Sequence, residues 1–250
     1  MMYSFLKKRY GSLFFISLFL VSFFPIPLYA ESVTFDLGNA TGMTGRILQL
    51  LISVTVLSLA PSIVIMVTSF TRIVIVFSFL RNAMGLQQSP PNVVLSSLAL
   101  FMTVFIMAPT LEKSYQEGIK PLIEEKIDEE KALERTFNPL RSFMVKNVRE
   151  KDVQLFMDIA KLEPVKAEHD LPYKVIVPAF IISELRRAFE IGFLIFLPFL
   201  IIDLVIASIL MAMGMMMLPP VMISLPFKVI FFVLVDGWHL LCESLIHSFK

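Results

Sequence analysis

The sequence predicts an all-α membrane protein in which two apolar helical hairpins flank a charged helical insert. Three observations carry that prediction. Of the 250 residues 56% are hydrophobic, 24 are phenylalanine and the mean hydropathy is +0.77, a composition suited to lipid rather than to a soluble domain. The 61 residues from Glu112 to Pro172 hold 25 of the 43 charged side chains, 14 acidic and 11 basic, so one water-facing block interrupts the apolar ones. Near the C-terminus, the apolar runs Ile191 to Leu210 and Val221 to Val235 are separated by the turn-forming residues Gly214, Pro219 and Pro220, as in a helical hairpin.

The first 30 residues read as a signal peptide. Lys7-Lys8-Arg9 precedes an apolar run from Gly11 to Phe24, which is too short to span about 30 Å of hydrocarbon. Cleavage is expected after Ala30 and would place Glu31 outside the cytoplasm; Leu28, larger than the cleavage pattern prefers, keeps an uncleaved anchor open. Residues 31–46 are polar and glycine-containing and are expected to form a periplasmic loop. No Lys-Ser or Lys-Thr follows Gly42 and Gly45, so they do not make a phosphate loop.

Residues 47–111 are read as the first hairpin. Ile47 to Leu80 exceeds one upright span and contains Pro61 and Arg72, which predicts a kinked helix ending near Thr71 and an extension to Leu80. Arg72 then has two readings, a charge at an interface between chains or a side chain snorkelling to the membrane surface. Arg81 to Asn92 is a turn rich in Gly, Gln and Pro, and Val93 to Leu111 is a second helix of spanning length.

The insert, residues 112–172, is expected to be helical. Asn138-Pro139 marks a helix start before Leu140, Phe143 and Met144, and Asp152 caps a stripe of Val153, Phe156, Met157 and Ala160. Its length frees it from the positive-inside tendency, so the signal peptide decides its side and places it in the periplasm.

Residues 173–236 form the second hairpin. Glu184 with Arg187 and Arg186 with Glu190 are spaced to neutralise one another on one helix, which suits protein-lined surroundings or an interfacial anchor. Further along, Asp203 and Lys228 stand 11 and 8 residues from the Gly214–Pro220 tip. At 1.5 Å per residue that is an offset of roughly 4 to 5 Å, so they can meet across the hairpin or between neighbouring copies. Unpaired, each would cost about 2.5 to 3.5 kcal/mol in an apolar layer. At the tip, Met213, Met215, Met216 and Met217 are soft, adaptable side chains suited to a seal, or else apolar filler at a helix end.

Residues 237–250 form an amphipathic tail. His239, Glu243 and His247 share one stripe, but the histidines lie about 12 Å apart along the helix, too far to hold one zinc ion. A single cysteine, Cys242, excludes an intrachain disulfide and a multi-cysteine metal site. The net charge of +1 gives no footing for nucleic acid. No His-Glu-x-x-His helix, lysine-bearing phosphate loop or nucleophile with an oriented base is present, so neither an enzyme nor a cofactor is expected.

Pro178-Ala179-Phe180, Ser183-Glu184-Leu185, Ala188-Phe189 and Ile191-Gly192-Phe193, with Pro226-Phe227-Lys228 and Asp236-Gly237-Trp238, resemble the two signature stretches of the FliP export-gate family. The resemblance extends upstream through Thr68-Ser69-Phe70-Thr71-Arg72, Leu80-Arg81-Asn82-Ala83-Met84-Gly85, Pro90-Pro91-Asn92 and Phe105-Ile106-Met107-Ala108-Pro109, covering roughly Arg46 to the C-terminus. Glu190 departs from it, standing where a neutral or basic residue is expected. The resemblance implies a homo-oligomer that joins FliQ and FliR in the bacterial inner membrane at the flagellar basal body, beside FlhA and FlhB, and passes unfolded substrates. The signal peptide favours flagellar over virulence export. In such a gate the methionines would close the pore, while Arg72, Glu184, Arg186, Arg187 and Glu190 would serve assembly. The competing class is a multi-pass solute or ion transporter with Asp203 as its coupling site.

Overall fold

A computed structural model describes residues 43–162, 171–215 and 217–249. The segment expected to be a signal peptide, most of the polar loop expected after it, and Met216 lie outside these residues. Among the described residues the regular structure is helical, with no strand. In order, the α-helices are α1 (Met43–Met66), α2 (Phe70–Ala83), α3 (Asn92–Ser114), α4 (Lys120–Ile123), α5 (Glu129–Asn147), α6 (Glu150–Ile159), α7 (Tyr173–Ala212), α8 (Pro220–Leu234) and α9 (Gly237–His247), with a π-helical turn (Tyr115–Ile119) joining α3 to α4. The chain divides into two units, Met1–Val54 and Thr55–Lys250, and the packing described below is that of the second.

Helix α1 begins at Met43, inside the segment expected to be loop, and ends at Met66. The break before α2 therefore falls at Val67–Ser69, earlier than the sequence suggests, and Arg72 belongs to the first turn of a new helix. That position turns Ile73, Val76, Phe77 and Leu80 inward together, spaced as one helical face. They meet Leu95, Ala99 and Met102 of α3, Ala188 and Phe199 of α7, Phe232 of α8, and Leu241 and Leu245 of α9 in one core. Helix α2 lies closest along α7. A Cβ on Gly192 would fall 2.6 Å from the Phe79 ring, so only glycine admits this approach.

The charged insert is continuous with the rest. Helix α3 runs through the π turn into α4, crossing from apolar to charged sequence without a loop. Helix α5 starts at Glu129, not at Pro139, which lies buried inside it. The acidic pair Glu129-Glu130 suits the positive end of the helix dipole, and proline is an ambiguous marker once a helix has already begun. Helix α6 begins at Glu150 with Arg149 in the cap position, and Asp152 is spent elsewhere. Met144 packs with Ile176 and Phe180, and Met157 with Leu171 and Val175, so α5 and α6 brace the first turns of α7. Between α4 and α5, a hydrogen bond to the Lys126 ammonium at 2.6 Å holds the exposed Glu124 carboxyl below the usual carboxylate range.

Two helical stretches are long and apolar enough to cross a membrane, Asn92–Ile123, whose most apolar 18 residues have a mean hydropathy of 2.0, and Tyr173–Ala212, where that value is 2.8. The pairs α1–α2 and α8–α9 qualify only if each bent pair counts as one span, the second bending by 63°. Helix α7, at 40 residues, is about 60 Å long. Only 11% of its most apolar stretch is buried within the chain, so lipid or other chains must cover the remainder.

Candidate functional site

Four features distinguish the α7–α8 hairpin and its supports. At the base, Arg72 and Glu184 are both fully buried. The guanidinium donates from Nε to Glu184 Oε2 at 2.8 Å and from a terminal nitrogen to Oε1 at 2.5 Å, a two-bond fork that matches the carboxylate plane. Its remaining terminal nitrogen donates to the Ser248 carbonyl at 3.0 Å and to Ser248 Oγ at 2.8 Å. The Phe249 ring lies against the cation, 3.6 Å from its centroid. Neither reading offered for Arg72 describes it, because its charge is met inside the chain. The expected Glu184–Arg187 pair is replaced by this long-range one; Arg186 and Glu190 do pair, at 2.8 Å, on the exposed face, and Arg187 is half-buried.

Immediately before Glu184, Ser183 joins the insert to α7. Its hydroxyl donates to Asp152 Oδ2 at 2.6 Å and accepts the Arg149 N–H at 3.0 Å. Asp152 therefore fastens α6 to α7 instead of capping its own helix.

Farther along α7, Asp203 Oδ2 receives the Lys228 ammonium at 2.7 Å, and Asp203 Oδ1 receives the Ser224 hydroxyl at 2.5 Å. Lys228 also donates to the Ala83 carbonyl at 3.2 Å, at the C-terminal end of α2, where the helix dipole favours a cation. The cluster ties three helices together within one chain. Ser224 and Ser248 are the polar partners that sequence reasoning missed. Ser224 stands one turn before Lys228, a spacing that could have identified it; nothing local marks Ser248.

Beyond this cluster the hairpin carries no charge up to its tip. Helix α7 stops at Ala212, and Gly214 adopts φ +73°, a left-handed turn that glycine enters without strain. Met211, Met213 and Met215 are exposed, and Met217 is 99% exposed. Among the described residues nothing lies within 4 Å of where a Cβ on Gly214 would stand. The tip is a solvent-accessible thioether surface carried on a fastened stem.

A family model described as the FliP family matches residues 53–245. The chain belongs to the FliP family. It is 56% identical to the flagellar biosynthetic protein FliP of Caulobacter vibrioides over 227 residues, covering 90% of this chain and 85% of that protein. Identity to the Bacillus subtilis protein of the same name is 55% over 201 residues, 80% of this chain and 91% of the relative. The Rhizobium meliloti FliP is 58% identical over 197 residues, 78% and 80%. The matched region takes in Arg72, Glu184, Asp203, Lys228 and the methionine tip, whereas Ser248 and Phe249, which complete the Arg72 cradle, lie beyond it.

On α9, Glu243 lies 3.8 Å from His239 and 3.9 Å from His247, all exposed on one stripe. Among the described residues no cluster of three or more His, Cys, Asp or Glu could hold a metal ion.

Proposed function

We propose that this chain is the pore-forming core subunit of the flagellar type III protein export gate, embedded in the bacterial inner membrane at the basal body. Several copies assemble with FliQ and FliR, next to FlhA and FlhB, and unfolded flagellar substrates pass through the centre. The charged insert faces the periplasm. Family membership supports this setting, and the observation that carries the mechanism is the contrast along the hairpin. Its charges are neutralised inside the chain, while its methionine tip is left uncovered. Arranged around an axis, Met213 and Met215 to Met217 close an apolar constriction by mutual contact and deform around a passing chain, because the unbranched thioether adapts its shape at little cost.

Both carboxylate oxygens of Asp203 are engaged, which favours a packing role over the coupling site a solute transporter would need. Substituting Met215, Met216 and Met217 together by Ala should leave the native mass of the FliP–FliQ–FliR particle unchanged and raise its ion conductance in planar bilayers at least tenfold. Conductance equal to that of the parent particle would remove the methionine seal. A stable monomer that recruits neither FliQ nor FliR would remove the gate itself.

A further inference from the structure

The break between α8 and α9 holds an aspartate that the chain itself does not use. Asp236 occupies the cap position of α9, where a carboxylate ordinarily accepts the first backbone N–H groups of the helix, yet its side chain makes no such bond. Its backbone explains why: at φ +49° and ψ +52° it lies in the left-handed region, whereas a capping residue needs an extended one. The turn is held in place by the core. Gly237 lies against the Phe232 ring with no room for a Cβ, and Trp238 packs edge-on against Phe232 and Phe77 at centroid distances of 5.5 and 6.2 Å. Asp236 is exposed, and among the described residues it forms no ion pair; its hydrogen bonds are those of its backbone N–H and carbonyl.

The surroundings make an unpaired charge costly. Val233, Leu234, Val235, Trp238 and Leu240 are all exposed on either side of it, Leu234 at 80%. The Asp203–Lys228 contact marks the register of the hairpin, and the Phe199 contacts with Phe231 and Phe232 follow it. Eight residues on from Lys228 and eight back from Asp203, Asp236 stands level with Ile195, about 12 Å from the pair and inside the uncharged run Ile191 to Ile202. Carboxylates at such a level are paired.

A second copy of this chain has no cation to offer there. The runs Ile191 to Leu210 and Val221 to Val235 contain one basic residue, Lys228, which is 3% exposed and bound to Asp203. Arg72 is sealed with Glu184, Arg81 donates to Asn92, Arg186 holds Glu190, and Arg187 is half-buried in the field of Glu184. Lys174 stands about 30 Å back along α7.

We propose that the Asp236 turn docks a membrane helix of a different subunit, which lays apolar side chains along Val233, Leu234 and Leu240 and presents a lysine or arginine to the Asp236 carboxylate. The charge pair fixes the depth and rotation of the incoming helix, while the apolar contacts cover the exposed end of α8. This docking rests on the gate reading above, which supplies the second subunit.

The test compares particles of the full chain co-expressed with FliQ and FliR, extracted in mild detergent and weighed by native mass spectrometry. Asp236→Asn keeps the shape and tolerates the left-handed backbone; Asp236→Gly removes the side chain and relieves the backbone, so both variants fold. Each should lower the occupancy of one of the two other subunits about fivefold or more and leave the number of copies of this chain unchanged. Asp236→Lys should expel that subunit, and changing one lysine or arginine in its apolar helices to glutamate should bring it back. Unchanged occupancy in either neutral variant overturns the docking and leaves the gate standing, and so does an expulsion that no such reversal repairs. Loss of copies of this chain with both other subunits retained overturns it by placing Asp236 against a second copy. A parent chain that purifies with no second subunit overturns the docking and the gate together.

Discussion

Helix α7 is held by two ion pairs that differ in how completely they are enclosed. Arg72 and Glu184 are both 0% exposed, joined by a fork, and backed by Ser248 and an aromatic ring. Asp203 keeps 24% of its side chain exposed while Lys228 keeps 3%, and a single ion-pair contact joins them, supplemented by Ser224 and the Ala83 carbonyl. The sealed pair sits where α7 is surrounded by α2, α5 and α6; the open pair sits where most of α7 faces away from the chain. Enclosure thus falls along α7 from base to tip. The base is fixed by the chain's own core, and the tip half is left for other surfaces.

The largest effect should come from the sealed pair. Glu184→Ala strands the Arg72 charge in a dry core and should cost about 3 to 5 kcal/mol in unfolding experiments on the detergent-solubilised chain. A loss below about 1 kcal/mol would mean that water reaches Arg72 and would erase the contrast. A smaller effect is expected at the open pair, where Asp203→Ala removes charge-assisted bonds worth about 2 kcal/mol. Because each partner left alone is penalised, Asp203→Ala with Lys228→Met should cost less than the two single losses added together, and strict additivity would show that they act separately. The smallest effect belongs to the exposed Glu124–Lys126 pair. The Glu124 carboxyl is held down by Lys126, so whatever it adds to stability is present above its ordinary value and lost as pH falls through the lowered one. Lys126→Ala should move the Glu124 titration midpoint upward by NMR and leave the unfolding midpoint at neutral pH unchanged; an unmoved titration would show that another group holds it.

What the sequence makes legible follows how local the deciding interaction is. Apolar runs set the helices and the turn residues set the tip; once Gly214 and Pro220 are fixed, counting back along both arms brings Asp203 level with Lys228. The Arg72–Glu184 pair spans 112 positions, and Arg187 stands nearby as a competing local partner, so spacing alone points the wrong way. Helix starts fail for a similar reason. Pro139 and Asp152 carry start signals, yet α5 has already begun at Glu129, and Asp152 is drawn away by Ser183 on another helix. Reading Asp128-Glu129-Glu130 as the acidic first turn would have placed that start correctly.

The Arg72 cradle also has a timetable. Its carboxylate is encoded 112 residues later and its Ser248 contacts 176 residues later. At ribosomal speeds these are delays of roughly 6 to 22 s and 9 to 35 s. Throughout the first interval α2 carries its guanidinium without the carboxylate that meets it in the finished fold. The core of the chain is complete only after the ribosome has delivered the last helix.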